Sequence, residues 1–154
     1  KAHEVYADAG GLGIPMCDAL SEAGWDVNRV NNGEKARDSQ AYGNRGAEMW
    51  FTAARAVELC EVIVPEDERL FGQLTTRRCK TNSKGKLMLE SKDELRRRGV
   101  DSPDRGDAFV GAVANGIDMQ SFNRHVARPS VYNDFREYCG ELSYSGLDSG
   151  FVCE

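Results

Sequence analysis

Two aspartates lie three residues apart at the start of a predicted helix, within residues 102–109 (SPDRGDAF). Ser102 is a favourable N-cap residue, and Pro103 suits the first helical turn, where its missing N–H leaves no partner unsatisfied. Residues three apart share a helix face, so we expect Asp104 and Asp107 to project the same way and to repel one another. A cation bound between them would relieve that repulsion.

A third carboxylate, that of Asp8, ends a short predicted strand over residues 4–8 and precedes a glycine-rich turn. Open α/β sheets hold their ligands beyond the C-terminal ends of their strands. We therefore expect Asp8 to converge with Asp104 and Asp107, with the carboxylates of Asp8 and Asp107 within about 8 Å, as shared ions require. Carboxylate oxygens suit Mg²⁺ or Mn²⁺, which stabilise the attacking and leaving oxygens in phosphoryl transfer.

Two of these acids also have ordinary structural interpretations. Asp8 is followed within two residues by glycine, and an aspartate in that position commonly begins a turn. Asp104 lies in a first helical turn, where the helix dipole alone favours an acid. The residues by themselves leave these alternatives open.

Strands and helices alternate along most of the chain, which predicts a mixed α/β fold. Hydrophobic spacing and turn signals predict strands at 4–8 and 25–30, helices at 12–23, 44–60, 66–73, 91–98 and 104–115, and a hairpin of 74–81 with 86–90. We divide the chain into a core of residues 1–115 and a C-terminal extension of residues 116–154. The extension is rich in aromatic and small polar residues and has one predicted helix near 132–142.

Composition argues against several classes of site and segment within these 154 residues. The chain has no apolar run long enough for a membrane span and no signal-peptide pattern. Its five cysteines form no Cys-x-x-Cys pair, and its two histidines are far apart, which argues against a zinc site. Scattered cysteines of this kind indicate free thiols in a reducing compartment.

Basic residues are concentrated in one segment of an acidic chain. Residues 71–100 hold nine Lys and Arg against three Asp and Glu, whereas the whole chain has a net charge of −5. A basic face of this kind fits a phosphate backbone, although a solvated hairpin and helix would look the same. The candidate DNA-binding residues are Lys84, Lys86, Lys92 and Arg96, and Lys92 is a candidate contact to the scissile phosphate.

Four motifs in order carry a resemblance to a known family. They are residues 8–13 (DAGGLG), 42–50 (YGNRGAEMW), 85–92 (GKLMLESK) and 102–108 (SPDRGDA). Together they resemble the C-terminal nuclease domain of the large terminase subunit of tailed bacteriophages, a member of the RNase H-like superfamily. The resemblance implies an RNase H-like mixed sheet flanked by helices. It also equates Asp107, which directly precedes Ala-Phe, with the family's last catalytic aspartate.

The resemblance implies a metal-dependent endonuclease that cuts concatemeric double-stranded DNA by two-metal hydrolysis in the host cytoplasm of a bacterial cell. The implied partners are the DNA, an ATPase motor domain of the same polypeptide, the small terminase subunit and the portal. The chain lacks the family's phosphate-binding loop and begins after its N-terminal hairpin, whose first strand supplies one metal-binding aspartate. We therefore expect residues 1–154 alone to be a poor nuclease.

Two other functions remain open at this point. The chain could be a non-catalytic docking or DNA-binding fragment of the same protein, with the aromatic C-terminal extension as its contact surface. The glycines at 10, 11 and 13 could instead belong to a nucleotide-binding α/β enzyme. Their spacing does not match Gly-x-Gly-x-x-Gly, and Asp8 would repel a pyrophosphate, so this last interpretation is the weakest.

Overall fold

Five helices and four strands form the described part of the chain. The structure, a computed structural model, describes residues 4–116. In chain order the elements are β1 (Val5–Asp8), α1 (Gly13–Glu22), β2 (Val27–Val30), α2 (Arg45–Glu58), α3 (Glu68–Thr76), β3 (Cys79–Thr81), β4 (Leu87–Leu89), α4 (Lys92–Arg97) and α5 (Asp104–Gly116). The predicted elements are found in the predicted order, and the mixed α/β class is confirmed.

The strands of this part of the chain form two separate pairs. Strands β1 and β2 run parallel, with Val5 opposite Val27 and Asp8 opposite Val30. Strands β3 and β4 form the predicted antiparallel hairpin. A parallel bridge joins Tyr42 to Leu87 of β4. Within residues 4–116 the strands thus form two two-stranded sheets, one parallel and one antiparallel.

Side-chain caps set where several helices begin. The Asn44 carboxamide accepts the N–H of Ala47 at the start of α2. Asp67 accepts the N–H groups of Arg69 and Leu70, so α3 begins at Glu68, later than predicted. The same helix continues to Thr76, through residues 74–76 that were predicted as strand. Its C-terminal half is held against α5, because the side-chain oxygen of Gln73 accepts the N–H of Gly106 at 2.9 Å.

The main core lies between helices α2 and α5. Met49, Trp50 and Ala53 of α2 pack against Val110 and Ala114 of α5. Trp50 is thus a core residue, as its spacing with Ala47 and Ala54 on a predicted helix indicates. At one end Arg45 of α2 donates a hydrogen bond to Asn115 of α5, while Trp50 contacts Asp107 near the start of α5. The two helices consequently run antiparallel, and the start of α5 is fixed against the middle of α2.

Three sequence expectations concern features outside this core. Cys17 and Cys60 are free thiols as expected, but Cys79 is disulfide-bonded, so the expectation of free thiols is wrong at that position. None of the helices in residues 4–116 combines the length and apolar character needed to cross a bilayer. The predicted C-terminal extension, with its helix near 132–142, lies outside the described residues apart from residue 116.

Candidate functional site

Asp8 occupies the predicted place at the C-terminal end of β1, with an exposed side chain. Its Oδ1 accepts the N–H of Gly10 at 2.8 Å. Its Oδ2 lies 3.4 Å from the Asn32 amide nitrogen, a long contact that leaves this oxygen largely open to other partners. The local turn thus orients the carboxylate without saturating it.

The glycines after Asp8 serve the tight turn that orients it. Gly11 adopts a positive φ of 53°, a conformation that glycine reaches without a steric penalty. A Cβ on Gly13 would lie 1.8 Å from the carbonyl oxygen of Asp8, so the start of α1 can approach β1 this closely only with glycine. The Gly10 amide is already used by Asp8. These contacts support the interpretation that the glycines shape the turn, and they disfavour a phosphate cradle for a nucleotide.

Asp107 lies in the first turn of α5 and is held by three donors from three other parts of the chain. The Trp50 indole nitrogen, in α2, donates to Oδ1 at 3.1 Å, and Arg77 Nη1, just after α3, donates to the same oxygen at 2.9 Å. Lys92 Nζ, at the start of α4, lies 3.3 Å from Oδ2. The Asp107 side chain is only 17% exposed. The structure therefore surrounds this carboxylate with two cations and an indole N–H.

Arg77 is the interior member of this group. Its side chain is 12% exposed, and its guanidinium carbon lies 4.9 Å from the centroid of the Trp50 ring. A second guanidinium nitrogen is 3.4 Å from the carbonyl oxygen of Glu90. Burial lowers the pKa of Arg77, and the neighbouring Asp107 carboxylate opposes that shift. Arg77 thus fixes Asp107 against the core from the inner side.

Asp104 does not share these partners. It is exposed, and its Oδ1 accepts a hydrogen bond from the Ser102 hydroxyl at 2.6 Å. Ser102 therefore bonds to the Asp104 side chain where a helix cap was predicted. No three His, Cys, Asp or Glu side chains within residues 4–116 are grouped so as to hold a metal ion. Asp8, Asp104 and Asp107 therefore do not form one group of three, and Asp104 bonds to Ser102 instead. The expected spacing of about 8 Å between the Asp8 and Asp107 carboxylates stays a prediction.

The four candidate DNA-binding residues occupy different environments. Lys84 is exposed at the turn of the β3–β4 hairpin, and Arg96 of α4 is exposed and paired with Asp93 at 3.1 Å. The Lys86 ammonium donates to the carbonyl oxygen of Ser39. Lys92 is the member of the set that contacts a candidate metal ligand, the carboxylate of Asp107. Of the four cations, Lys84 is exposed, Arg96 and Lys86 are bonded to other groups of the chain, and Lys92 contacts Asp107.

A second charged group, on α2, is buried although its spacing along the sequence is typical of a surface pair. The spacing of Arg45 and Glu48 predicts a surface pair, but both side chains are buried, at 10% and 7% exposure. The apolar residues Ala47, Met49 and Trp50 around them were the available signal for this burial. For the contact of Arg77 with Asp107, 30 residues apart, the sequence offered no signal.

The chemistry of the two acidic side chains fits a hard divalent cation. Asp8 offers an exposed carboxylate with one largely open oxygen. Asp107 offers Oδ2, which lies 3.3 Å from the half-exposed Lys92 ammonium, so this oxygen already has a cation beside it. Both donors are carboxylate oxygens, which Mg²⁺ and Mn²⁺ prefer.

Solved structures with a similar fold are nuclease domains of a phage large terminase subunit. The nuclease domain of gp2 of bacterial virus Sf6 matches with a TM-score of 0.58 and 24% identity, over 71% of this chain and 64% of that one. A point mutant of that domain with manganese gives the same figures. A mutant gp2c of bacteriophage Sf6 with calcium has a TM-score of 0.56 at 24% identity, over 71% and 63% of the two chains.

These comparisons confirm, at the level of fold, the resemblance that the four motifs predict. The chain spans about 64% of the length of the nuclease domains it matches. No protein-family model matches the chain, and no curated protein matches it.

Proposed function

We propose that the chain forms the larger part of a metal-dependent endonuclease domain of a phage terminase large subunit, with double-stranded DNA as its substrate. The observation that carries the proposal is the likeness of fold to terminase nuclease domains over 71% of the chain. Asp8 at a strand end and Asp107 at a helix start supply oxygen ligands on that fold. The RNase H-like arrangement of the complete sheet is part of the same proposal.

Asp8 and Asp107 are the proposed ligands of Mg²⁺ or Mn²⁺, with two ions in the complete domain. When bound, such ions activate water for attack on the phosphodiester and stabilise the leaving oxygen. Asp8 presents its carboxylate from a turn fixed by Gly10, and Asp107 presents Oδ2 from a helix start fixed by Trp50 and Arg77. Asp104, which is exposed and bonded to Ser102, is at most an auxiliary ligand.

The cations around Asp107 suit a phosphate-bearing substrate. Lys92 extends from the start of α4 with a side chain that is 47% exposed. Its ammonium can therefore leave the Asp107 carboxylate and contact a DNA phosphate instead. Lys84 and Arg96 continue the positive charge along the hairpin and α4, whereas the Lys86 ammonium is bonded to the Ser39 carbonyl oxygen. Contacts to phosphates position DNA without selecting its sequence, so cleavage with little sequence preference is expected.

The remaining parts of the proposal concern the cell. Concatemeric viral DNA in the bacterial host cytoplasm is the proposed physiological substrate. The proposed partners are an ATPase motor domain of the same polypeptide, the small terminase subunit and the portal. Each follows from the terminase resemblance.

Cleavage of supercoiled plasmid tests the proposed activity. A polypeptide that contains this chain within a complete nuclease domain should nick plasmid with Mg²⁺ or Mn²⁺ and not with EDTA. Asp8→Asn and Asp107→Asn should each abolish nicking, whereas Asp104→Asn should retain most of it. Full nicking by the Asp107→Asn variant would refute the proposed site.

One observation favours a second candidate, a DNA-binding module without catalysis. Arg77 and Lys92 already compensate the charge on both oxygens of Asp107. A binding module would retain salt-dependent affinity for duplex DNA and would show no metal-dependent nicking in the complete domain. The plasmid assay and a binding assay therefore separate the two candidates.

A further inference from the structure

The two oxygens of Asp107 face different kinds of neighbour. Oδ1 accepts two hydrogen bonds from interior groups, the Trp50 indole nitrogen at 3.1 Å and Arg77 Nη1 at 2.9 Å. Oδ2 faces Lys92 Nζ at 3.3 Å. The Arg77 side chain is 12% exposed and that of Lys92 is 47% exposed. One oxygen is thus held by buried donors, and the other lies beside a half-exposed cation.

The interior donors are themselves fixed by packing. Trp50 belongs to the α2–α5 core, and its ring lies so close to α5 that a Cβ on Gly106 would be 3.2 Å from it. Arg77 lies over the same ring and within 3.4 Å of the Glu90 carbonyl oxygen. Neither donor can follow Asp107 if the carboxylate rotates, so both oppose such a rotation.

We infer that Trp50 and Arg77 are positioning residues that hold Oδ1 of Asp107 and keep Oδ2 available for an exchangeable cation. Lys92 occupies that place in the absence of a divalent ion and leaves it when Mg²⁺ or Mn²⁺ binds. The inference rests on the proposed function, because it assigns how one proposed ligand is oriented. Partners that orient a ligating carboxylate commonly change metal affinity by about 10- to 100-fold when they are removed.

Mn²⁺ binding to the 154-residue chain, measured by calorimetry, tests this assignment without any cleavage assay. Trp50→Phe keeps an aromatic ring in the core and removes the indole N–H, and it should weaken Mn²⁺ binding about tenfold. Trp25→Phe is the matched control, because Trp25 is half-exposed and lies outside the site, and it should leave binding unchanged. Lys92→Ala should strengthen binding several-fold, because it removes the competing cation. If Trp50 served only to pack the core, nothing would lead us to expect that Trp50→Phe weakens Mn²⁺ binding while Lys92→Ala strengthens it.

The fluorescence of Trp50 provides a second measurement that does not require the Trp50→Phe variant to fold. The chain has two tryptophans, so Trp25→Phe leaves Trp50 as the single indole. Mn²⁺ should quench its emission, and Asp107→Asn should remove that quenching.

The possible results separate the inference from the proposed function. Equal Mn²⁺ affinity for Trp50→Phe and Trp25→Phe, with Asp107-dependent binding, would overturn the inference alone. The expected affinities without plasmid nicking by the complete domain would support the inference and overturn the proposed function. Mn²⁺ binding that does not depend on Asp107 would overturn both. No Mn²⁺ binding by the 154-residue chain would overturn the inference, whereas the proposed function would still be decided by nicking in the complete domain.

Discussion

Arg45 and Glu48 form a buried ion pair one turn apart on α2, with Arg45 Nη1 2.7 Å from Glu48 Oε2. Glu48 also accepts the backbone N–H groups of Arg37 and Asp38, at 2.9 and 2.8 Å. Arg45 in turn donates to the Asn115 side chain of α5 at 2.7 Å. The pair therefore ties the segment before α2, which also carries the Asn32 neighbour of Asp8, to the end of α5.

Replacing Glu48 by Gln should strongly destabilise the fold. Burial tends to raise the pKa of Glu48, but the two backbone N–H groups and Arg45 outweigh it, so the pKa lies below its ordinary value. The neutral amide leaves Arg45 buried without its counter-charge and puts an NH₂ group against backbone donors. We expect a loss of about 3 kcal/mol in the free energy of unfolding, measured by urea denaturation.

Glu58→Gln is the matched control for this substitution. Glu58 pairs with Arg55 on the same helix, at the same spacing and the same 2.7 Å distance, but its side chain is 46% exposed. An exposed pair contributes less than about 1 kcal/mol, so this variant should remain close to the parent. Equal losses for the two variants would show that burial of the Arg45–Glu48 pair has no energetic consequence.

Glu94 should make the stability of the fold depend on acidic pH. Its carboxylate pairs with Lys80 Nζ at 2.6 and 2.7 Å and completes the capping box with Ser91. The Lys80 contact, followed by the bonds from Ser91, lowers the pKa of Glu94 to about 2. Because the folded pKa is the lower one, the stabilisation is present above the ordinary value of 4.5 and is lost as the pH falls from there to about 2.

Thermal melting between pH 7 and pH 2 measures this contribution. Glu94→Gln keeps a residue that can form the capping box but removes the charge, so its deficit relative to the parent should shrink as the pH falls. The effect should also shrink in high salt, since the Glu94 side chain is 40% exposed. Asp93→Asn is the control, because Asp93 and its partner Arg96 are 76% and 71% exposed. A deficit for Glu94→Gln that is constant with pH would contradict the assignment.

Gly13→Ala should disrupt the turn that orients Asp8. The new Cβ would lie 1.8 Å from the Asp8 carbonyl oxygen, so either β1 or the start of α1 must move. We expect a lower melting temperature and, in a complete nuclease domain, reduced nicking. Gly111→Ala in α5 is the control, since no atom lies within 4 Å of its added Cβ. It should stabilise the helix by up to about 1 kcal/mol, and equal losses in both variants would argue against a steric role for Gly13.

Local sequence signals were sufficient to place the main elements. The glycine turn after Asp8, the Asn44 cap before α2 and the turn over residues 82–85 between β3 and β4 each act over a few residues, so their consequences can be read along the chain. The four motifs added the likeness of fold that the solved terminase nuclease domains confirm. The positions of Asp8 and Asp107, on a strand end and a helix start, were therefore predictable.

The partners of these acids were not predictable, because they depend on packing between distant segments. Asp107 meets Trp50 and Arg77 only after α2, α3 and α5 have packed together. Asp104 lies three residues away on the same helix, yet a local bond to Ser102 accounts for its orientation. Helical spacing predicts a shared face, but it does not predict which side chain finds a buried donor.

The hairpin lysines should differ in their contribution to DNA binding. Lys84 is exposed at the turn, so Lys84→Ala should weaken binding to every duplex and lower the salt slope by about one unit if the lysine contacts one phosphate. The Lys86 ammonium is bonded to the Ser39 carbonyl, so Lys86→Ala should leave the slope nearly unchanged and instead lower stability by about 1 kcal/mol. Fluorescence anisotropy of labelled duplex in EDTA measures both slopes without cleavage. An unchanged slope for Lys84→Ala would identify the hairpin turn as a solvated loop, and a reduced slope for Lys86→Ala would show that DNA displaces the Ser39 contact.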